Sequence, residues 1–129
     1  MQSEISNPHQ TFLIQVDGPD KEGITTHVLS TLAGAGASIE DVEQIVIRNH
    51  ISLNIVARIP DGRDLLKELL LVGYERGLSI EFEPVEATPT RKPTGTIVTV
   101  LGQTLEAAEL AAVTGVVTAT GGNIDRLER

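Results

Sequence analysis

Residues 51–59 alternate with a period of two: Ile51, Leu53, Ile55, Ala57 and Ile59 fall on one side of an extended backbone, and Ser52, Asn54, Val56 and Arg58 on the other. A strand of this kind has one face for a core and one for water, so the chain must also supply neighbouring strands and a layer that covers the apolar side. The flanking sequence supplies both. Phe12, Ile14 and Val16 share one face of a first strand, and Leu78, Ile80 and Phe82 alternate with Ser79, Glu81 and Glu83 in a last one. Ser38 to Arg48 is a further strand, rich in Val and Ile, whose phase slips: Ile39 falls in step with Ile45 and Ile47, but Val42 with Val46. A bulge, or a face covered by a partner, accounts for the slip. Arg48-Asn49-His50 then makes a short hairpin connection in which Asn49 can adopt the left-handed conformation.

The covering layer is helical. Ile24, Val28, Leu32 and Ala35 recur at helical spacing, with Leu29 widening the stripe, and Gly34-Ala35-Gly36 reads as a C-terminal cap leading into a strand. After the break at Pro60-Asp61-Gly62, the segment from Arg63 to Arg76 places Leu65, Leu69 and Val72 on one face with Leu66 and Leu70 beside them, and Gly77 closes it. The order is βαββαβ over residues 11–84, the ferredoxin-like α+β plan: an antiparallel four-stranded sheet with two helices on one face. Residues 1–10 read as a flexible leader, with His9 a solvated side chain, and 85–94, with Thr88-Pro89-Thr90 and Lys92-Pro93, as a linker.

Beyond the linker the pattern restarts. Ile97 to Gly102 repeats Leu13 to Gly18, Ala107 to Thr120 is again helix-like, and Gly121-Gly122-Asn123-Ile124 echoes Gly36-Ala37-Ser38-Ile39. The offset is 84 at Gly102 (102−18) and 85 at Asn123 (123−38), an internal duplication with one inserted residue. Residues 95–129 are expected to form a partial, βαβ second copy, cut short inside its second strand, as in the front part of a longer protein.

Composition excludes several partners. A net charge of −8 opposes binding to nucleic acid or to an anionic membrane, and the absence of Cys removes disulfides and thiolate metal sites. No signal peptide opens the chain and no apolar run approaches the ~20 residues that span a bilayer, so a cytoplasmic location is expected. Glu40, Asp41 and Glu43 read as a solvated or interface strand face rather than a carboxylate site, and His27 as a packing or surface residue without a visible partner.

The stretch that invites a ligand is Asp17-Gly18-Pro19-Asp20-Lys21-Glu22-Gly23-Ile24, a strand-to-helix turn. Gly18 and Gly23 can take positive φ or admit a ligand close to the backbone, Pro19 stiffens the turn, and the first N–H groups of the helix have no intrahelical partners. Such a place suits a carboxylate or phosphate, although the same residues also suit a tight connection that binds nothing. Competing ferredoxin-like functions lack their chemistry here. A metal chaperone needs a Cys pair; an acylphosphatase-like enzyme needs an Arg in the cradle where this turn has Asp20 and Glu22; an RNA-recognition domain needs sheet aromatics and a basic face, and aromatics are 2%.

Val16 to Ile24 resembles the opening turn of ACT domains, and Asp41-Val42-Glu43-Gln44-Ile45-Val46-Ile47-Arg48 resembles the second strand in the N-terminal tandem ACT region of actinobacterial phosphoserine phosphatases; the likeness runs from about Phe12 to Arg129. There are two departures: Glu22 stands where a proline is common, and the second turn keeps Gly102 but lacks the Asp and the later Gly. The resemblance implies an amino-acid-sensing regulatory module in serine biosynthesis, with L-serine (or glycine) as effector held between paired ACT modules in a homodimer or ACT–ACT pair. Carried onto this sequence, it implies ligand binding by Gly18, Asp20 and Gly23 in the first copy and Gly102 and Asn123 in the second. Helix N–H groups would take the α-carboxylate, Asp20 the α-ammonium, and Asn123 would donate and accept. The phosphatase core implied by the family begins with Asp-x-Asp, which this sequence lacks, so the chain is expected to be catalytically silent, with no catalytic or metal-binding residues. No cofactor is expected in it; Mg2+ would belong to a phosphatase domain outside it. A free-standing tandem ACT regulator of the glycine-cleavage-repressor type and a purely structural dimerisation module are the alternatives.

Overall fold

In the computed structural model, which describes residues 9–60, 63–86 and 95–128, the two cleanest apolar alternations of the sequence lie side by side. β1 (His9–Pro19) and β3 (His50–Pro60) run antiparallel in unbroken register, from His9 opposite Pro60 to Pro19 opposite His50, with Ile14 facing Ile55 at the middle. β2 (Ser38–Ile47) pairs with β3, and β4 (Ser79–Pro84) with β1, giving a four-stranded antiparallel sheet in the order β2, β3, β1, β4. α1 (Ile24–Gly34) and α2 (Arg63–Arg76) cover one face.

The core lies between these layers and consists of the residues that the two periodicities select. Phe12, Ile14 and Val16 of β1 and Ile51, Leu53, Ile55, Ala57 and Ile59 of β3 are buried against Ile24, Val28 and Leu32 of α1 and Leu65, Leu69 and Val72 of α2. Each of these side chains larger than Ala57 contributes about 1.5–3 kcal/mol when removed from water, which is why the central strands and the inner helix stripes dictate the fold. Leu70, expected beside the α2 stripe, is 51% exposed.

β1 is longer at both ends than the alternation implies. His9 and Gln10, read as leader, pair with Pro60 and Ile59, because β3 extends far enough to offer them partners. Asp17, Gly18 and Pro19 continue the ladder opposite Ser52, Ile51 and His50. The remainder of the expected leader, residues 1–8, most of the expected linker, residues 87–94, and Asp61 and Gly62 lie outside the described residues.

The phase slip in β2 is a bulge. Pairing passes from Ile39 opposite Ala57 directly to Asp41 opposite Val56, so Glu40 is extra and Ile39 is turned onto the face of Val42, Gln44 and Val46. That face is continuous with the core side of β3, yet Ile39, Val42 and Val46 are 42%, 50% and 45% exposed, because β2 is the outermost strand on its side. On the opposite face, Glu43, Asn54, Gln15 and Glu81 form one cross-strand row, in which Gln15 Nε2 donates to Asn54 Oδ1 at 3.3 Å.

The chain divides into two compact units, residues 1–90 and 91–129. In the second, the expected βαβ plan is met by its helix alone, α3 (Ala107–Ala119); residues 95–106 and 122–128 form no strand. The reason is visible in the first unit, where β1 and β2 never touch: β3 lies between them and supplies the ladder for both. The repeat expected in residues 95–128 matches only β1 and β2, two strands that do not pair with each other in the first unit. The two helices nevertheless end alike. Gly36 and Gly121 have φ of 75° and 85°, and the next residue in each case donates back five residues, Ala37 to Leu32 and Gly122 to Val117. Among the described residues no helix is long and apolar enough to cross a membrane.

Candidate functional site: the turn between β1 and α1

The turn that leaves β1 is fixed from two sides. Its Asp20 N–H donates to the carbonyl of Asn49 at 2.7 Å, tying it to the β2–β3 hairpin, where Arg48 and Asn49 both have positive φ, 49° and 65°. On its other side Gly18 lies against the junction between α2 and β4. A Cβ there would stand 2.9 Å from Leu78 Cδ2, 3.2 Å from the Gly77 carbonyl oxygen and 3.3 Å from Leu78 Cα, and φ is 156°. Gly18 is therefore closely packed within the fold, in addition to the ligand contact expected of it from the sequence.

Gly23 behaves differently. It occupies the N-cap of α1 with φ 87° and ψ 1°, has nothing within 4 Å of a Cβ position, and brings no side chain to cap the helix. The first return bond is from His27 N–H to the Gly23 carbonyl at 3.0 Å, so the N–H groups of Ile24, Thr25 and Thr26 precede the intrahelical ladder. No acidic residue stands in the first turn of α1 to neutralise the positive end of the helix dipole. Asp20, Lys21, Glu22 and Gly23 are exposed, Ile24 is buried and anchors the helix, and the Thr25 hydroxyl donates to Gln44 Oε1, linking the helix start to the outer strand. Asp17 belongs to the opposite face of the sheet: its Oδ1 accepts from Ser52 Oγ at 2.8 Å and lies 4.0 Å from His50 Nε2. The result is an open strand-to-helix turn with unsatisfied donors, which can hold an anionic group of modest size.

Of the residues expected to bind ligand, Gly18, Asp20 and Gly23 are brought together in this turn. Gly102 and Asn123 lie in the second unit, on either side of α3; Gly102 is exposed, and Asn123 Nδ2 donates to Asp125 Oδ1 at 3.4 Å. Among the described residues, no group of three or more His, Cys, Asp or Glu side chains could hold a metal ion. His27 has no partner visible in the sequence, but the structure supplies one: Arg76 Nε, at the end of α2, donates to His27 Nδ1 at 3.0 Å. A signal existed only in composition, since a half-buried His and an Arg at a helix terminus are both hydrogen-bonding groups in want of partners.

The ACT-domain sequence profile matches residues 10–83, which take in both covering helices and all of the sheet but its end residues His9 and Pro84. The chain belongs to the ACT-domain family. Over 123 residues it is 32% identical to a phosphoserine phosphatase of Streptomyces coelicolor, covering 92% of this chain and 30% of that protein. Over 120 residues it is 33% identical to a phosphoserine phosphatase of Mycobacterium tuberculosis, covering 89% and 29%. The chain thus spans less than a third of the length of these relatives. Among solved structures, an ACT domain protein from Streptococcus pneumoniae matches 58% of this chain and 89% of its own at a TM-score of 0.51 and 26% identity. A protein assigned as a glycine cleavage system transcriptional repressor matches 67% and 51% at a TM-score of 0.61 and 19% identity, a likeness of fold alone.

Proposed function

We propose that this ACT unit senses a small amino acid, L-serine first, as a regulatory part of a phosphoserine phosphatase acting in the cytoplasm. The observation that carries the reading is the uncapped start of α1 behind Gly23, beside the exposed carboxylate of Asp20. An α-amino acid has the complementary pair of charges: its carboxylate against the N–H groups of Ile24 to Thr26, its ammonium toward Asp20. The names of the Streptomyces and Mycobacterium relatives supply the setting, an enzyme whose product is serine. In this reading Gly18 shapes the turn, Gly102 and Asn123 are the ligand-binding residues of the second copy, and the exposed apolar residues of β2 are covered in a homodimer or ACT–ACT pair.

Titration calorimetry with L-serine, glycine and L-alanine tests it. Wild-type protein is expected to bind at least one of the three at millimolar concentration or below. Asp20→Ala is expected to bind about tenfold more weakly, the lower end of the ~1.5–3 kcal/mol for a hydrogen bond to a charged group, since the site is open to water. No heat with any of the three, from folded protein, would leave a purely structural module.

A further inference from the structure

The C-terminal end of α2 meets the β1–α1 turn at Gly18 and the first turn of α1 at His27. At the start of the turn, Gly18 lies within close packing distance of Gly77 and Leu78, as the 2.9 to 3.3 Å approaches of a hypothetical Cβ record. In the first turn of α1, His27 Nδ1 accepts from Arg76 Nε at 3.0 Å across 49 residues of sequence, and both side chains are partly buried. The junction is itself rigidly closed: Gly77 has φ 71°, and Leu78 N–H donates to the Gly73 carbonyl at 2.8 Å, ending α2 in a fixed geometry. His27 is the residue whose N–H makes the first helical bond, to Gly23, so whatever holds His27 also holds the pitch and direction of the opening turn of α1.

From this we infer that Arg76 is a positioning residue for the turn, acting through His27. The guanidinium has donors only, so the bond requires His27 to present Nδ1 as an acceptor and to carry its proton on Nε2. Held in that way, His27 fixes the direction in which the N–H groups of Ile24, Thr25 and Thr26 point, and the end of α2 sets how well the turn receives an anionic group. The consequence for affinity rests on the amino-acid reading given above; the consequence for the geometry of the turn does not.

The experiment separates the two. Amide hydrogen exchange, measured residue by residue on the intact chain, follows the His27 N–H as a report on the helix start and the Ile55 N–H, at the centre of the sheet, as a report on global opening. Arg76→Met, which keeps an apolar stem and removes the donors, and His27→Leu are each expected to speed exchange at His27 about tenfold while leaving Ile55 unchanged. The double variant is expected to be no worse than either single, because the two residues act as one contact. His27→Asn, whose Oδ1 restores an acceptor near the position of Nδ1, is expected to exchange like wild type. L-serine titrated into the same variants is expected to bind several-fold more weakly to Arg76→Met and His27→Leu, and normally to His27→Asn. Unchanged His27 exchange in Arg76→Met, or effects of the two substitutions that multiply, would overturn the positioning role. Absence of L-serine, glycine and L-alanine binding in wild type would sink the amino-acid reading alone, with the exchange data still deciding the role of Arg76.

Discussion

Gly18→Ala isolates how the turn is built. The added methyl would meet Leu78 Cδ2 at 2.9 Å, and that side chain can turn away; it would also meet the Gly77 carbonyl oxygen at 3.2 Å and Leu78 Cα at 3.3 Å, which are backbone and cannot. Relief therefore requires the α2–β4 junction to withdraw from β1 by a few tenths of an ångström, at a point where Leu78 is 8% exposed and part of the core. Overpacking of this kind costs about 1–3 kcal/mol, and a non-glycine residue at φ 156° adds about 1 kcal/mol, for a total of about 2–4 kcal/mol. Gly23→Ala is the control. It has the same substitution and an unfavourable φ of 87°, but nothing within 4 Å of the new atom, so its cost is the backbone term alone, about 1–2 kcal/mol. Urea unfolding followed by circular dichroism, with the exchange rate of the Ile55 amide as a check on global opening, measures both. In a unit of this size each kcal/mol moves Tm by about 4–8 °C. If Gly18→Ala proved no more destabilising than Gly23→Ala, the packing argument would be wrong and Gly18 would return to being a residue kept for ligand space.

Other substitutions follow from the same structure. Leu69→Ala, at a side chain with no exposure, is expected to cost about 2–5 kcal/mol in the same unfolding assay. The β2–β3 turn, in which both central residues have positive φ, is occupied by Arg48 and Asn49; replacing the pair with Asn-Gly is expected to stabilise the unit by about 0.5–1 kcal/mol, and a loss of stability would mean the Arg48 side chain contributes more than its strain costs. Ile39, Val42 and Val46 leave an apolar stripe on the outermost strand, so the protein is expected to sediment as a dimer or larger at tens of micromolar and Val42→Lys/Val46→Lys to shift it to monomer; a wild-type monomer would refute this.

Most of the fold could be read from the sequence because it rests on periodicity. Phe12, Ile14 and Val16, the five alternating residues of β3, Ile24, Val28 and Leu32 of α1 and Leu65, Leu69 and Val72 of α2 are buried as their spacing requires, since burial of one face is what a period of two or of 3.6 encodes. The bulge could be read as a slip in phase, although its location at Glu40 could not, because several residues could be left unpaired with the same pattern. The turn was legible as a turn. What was hidden is what touches it: Gly18 meets Leu78 across 60 residues of sequence (78−18), and His27 meets Arg76 across 49. Neither contact follows from local pattern, since each depends on how the end of α2 comes down beside β1. The strands expected in residues 95–128 failed for the same reason, as a strand is a property of a pair and the alternation of Ile97 to Leu101 describes only one member.

The Val85 N–H donates to the Thr11 carbonyl at 3.0 Å, just after Pro84 has paired with Phe12, so the ladder between β4 and β1 closes with the entry and exit of the first unit side by side. A module with neighbouring ends is indifferent to where its chain is cut. A circular permutant that joins Val85 to Thr11 through a short glycine-rich loop and opens at the Arg48-Asn49 turn would keep every strand neighbour in the sheet. The same property lets a unit of this shape be threaded between other domains, or strung beside a copy of itself, without unpicking a single hydrogen bond of its sheet.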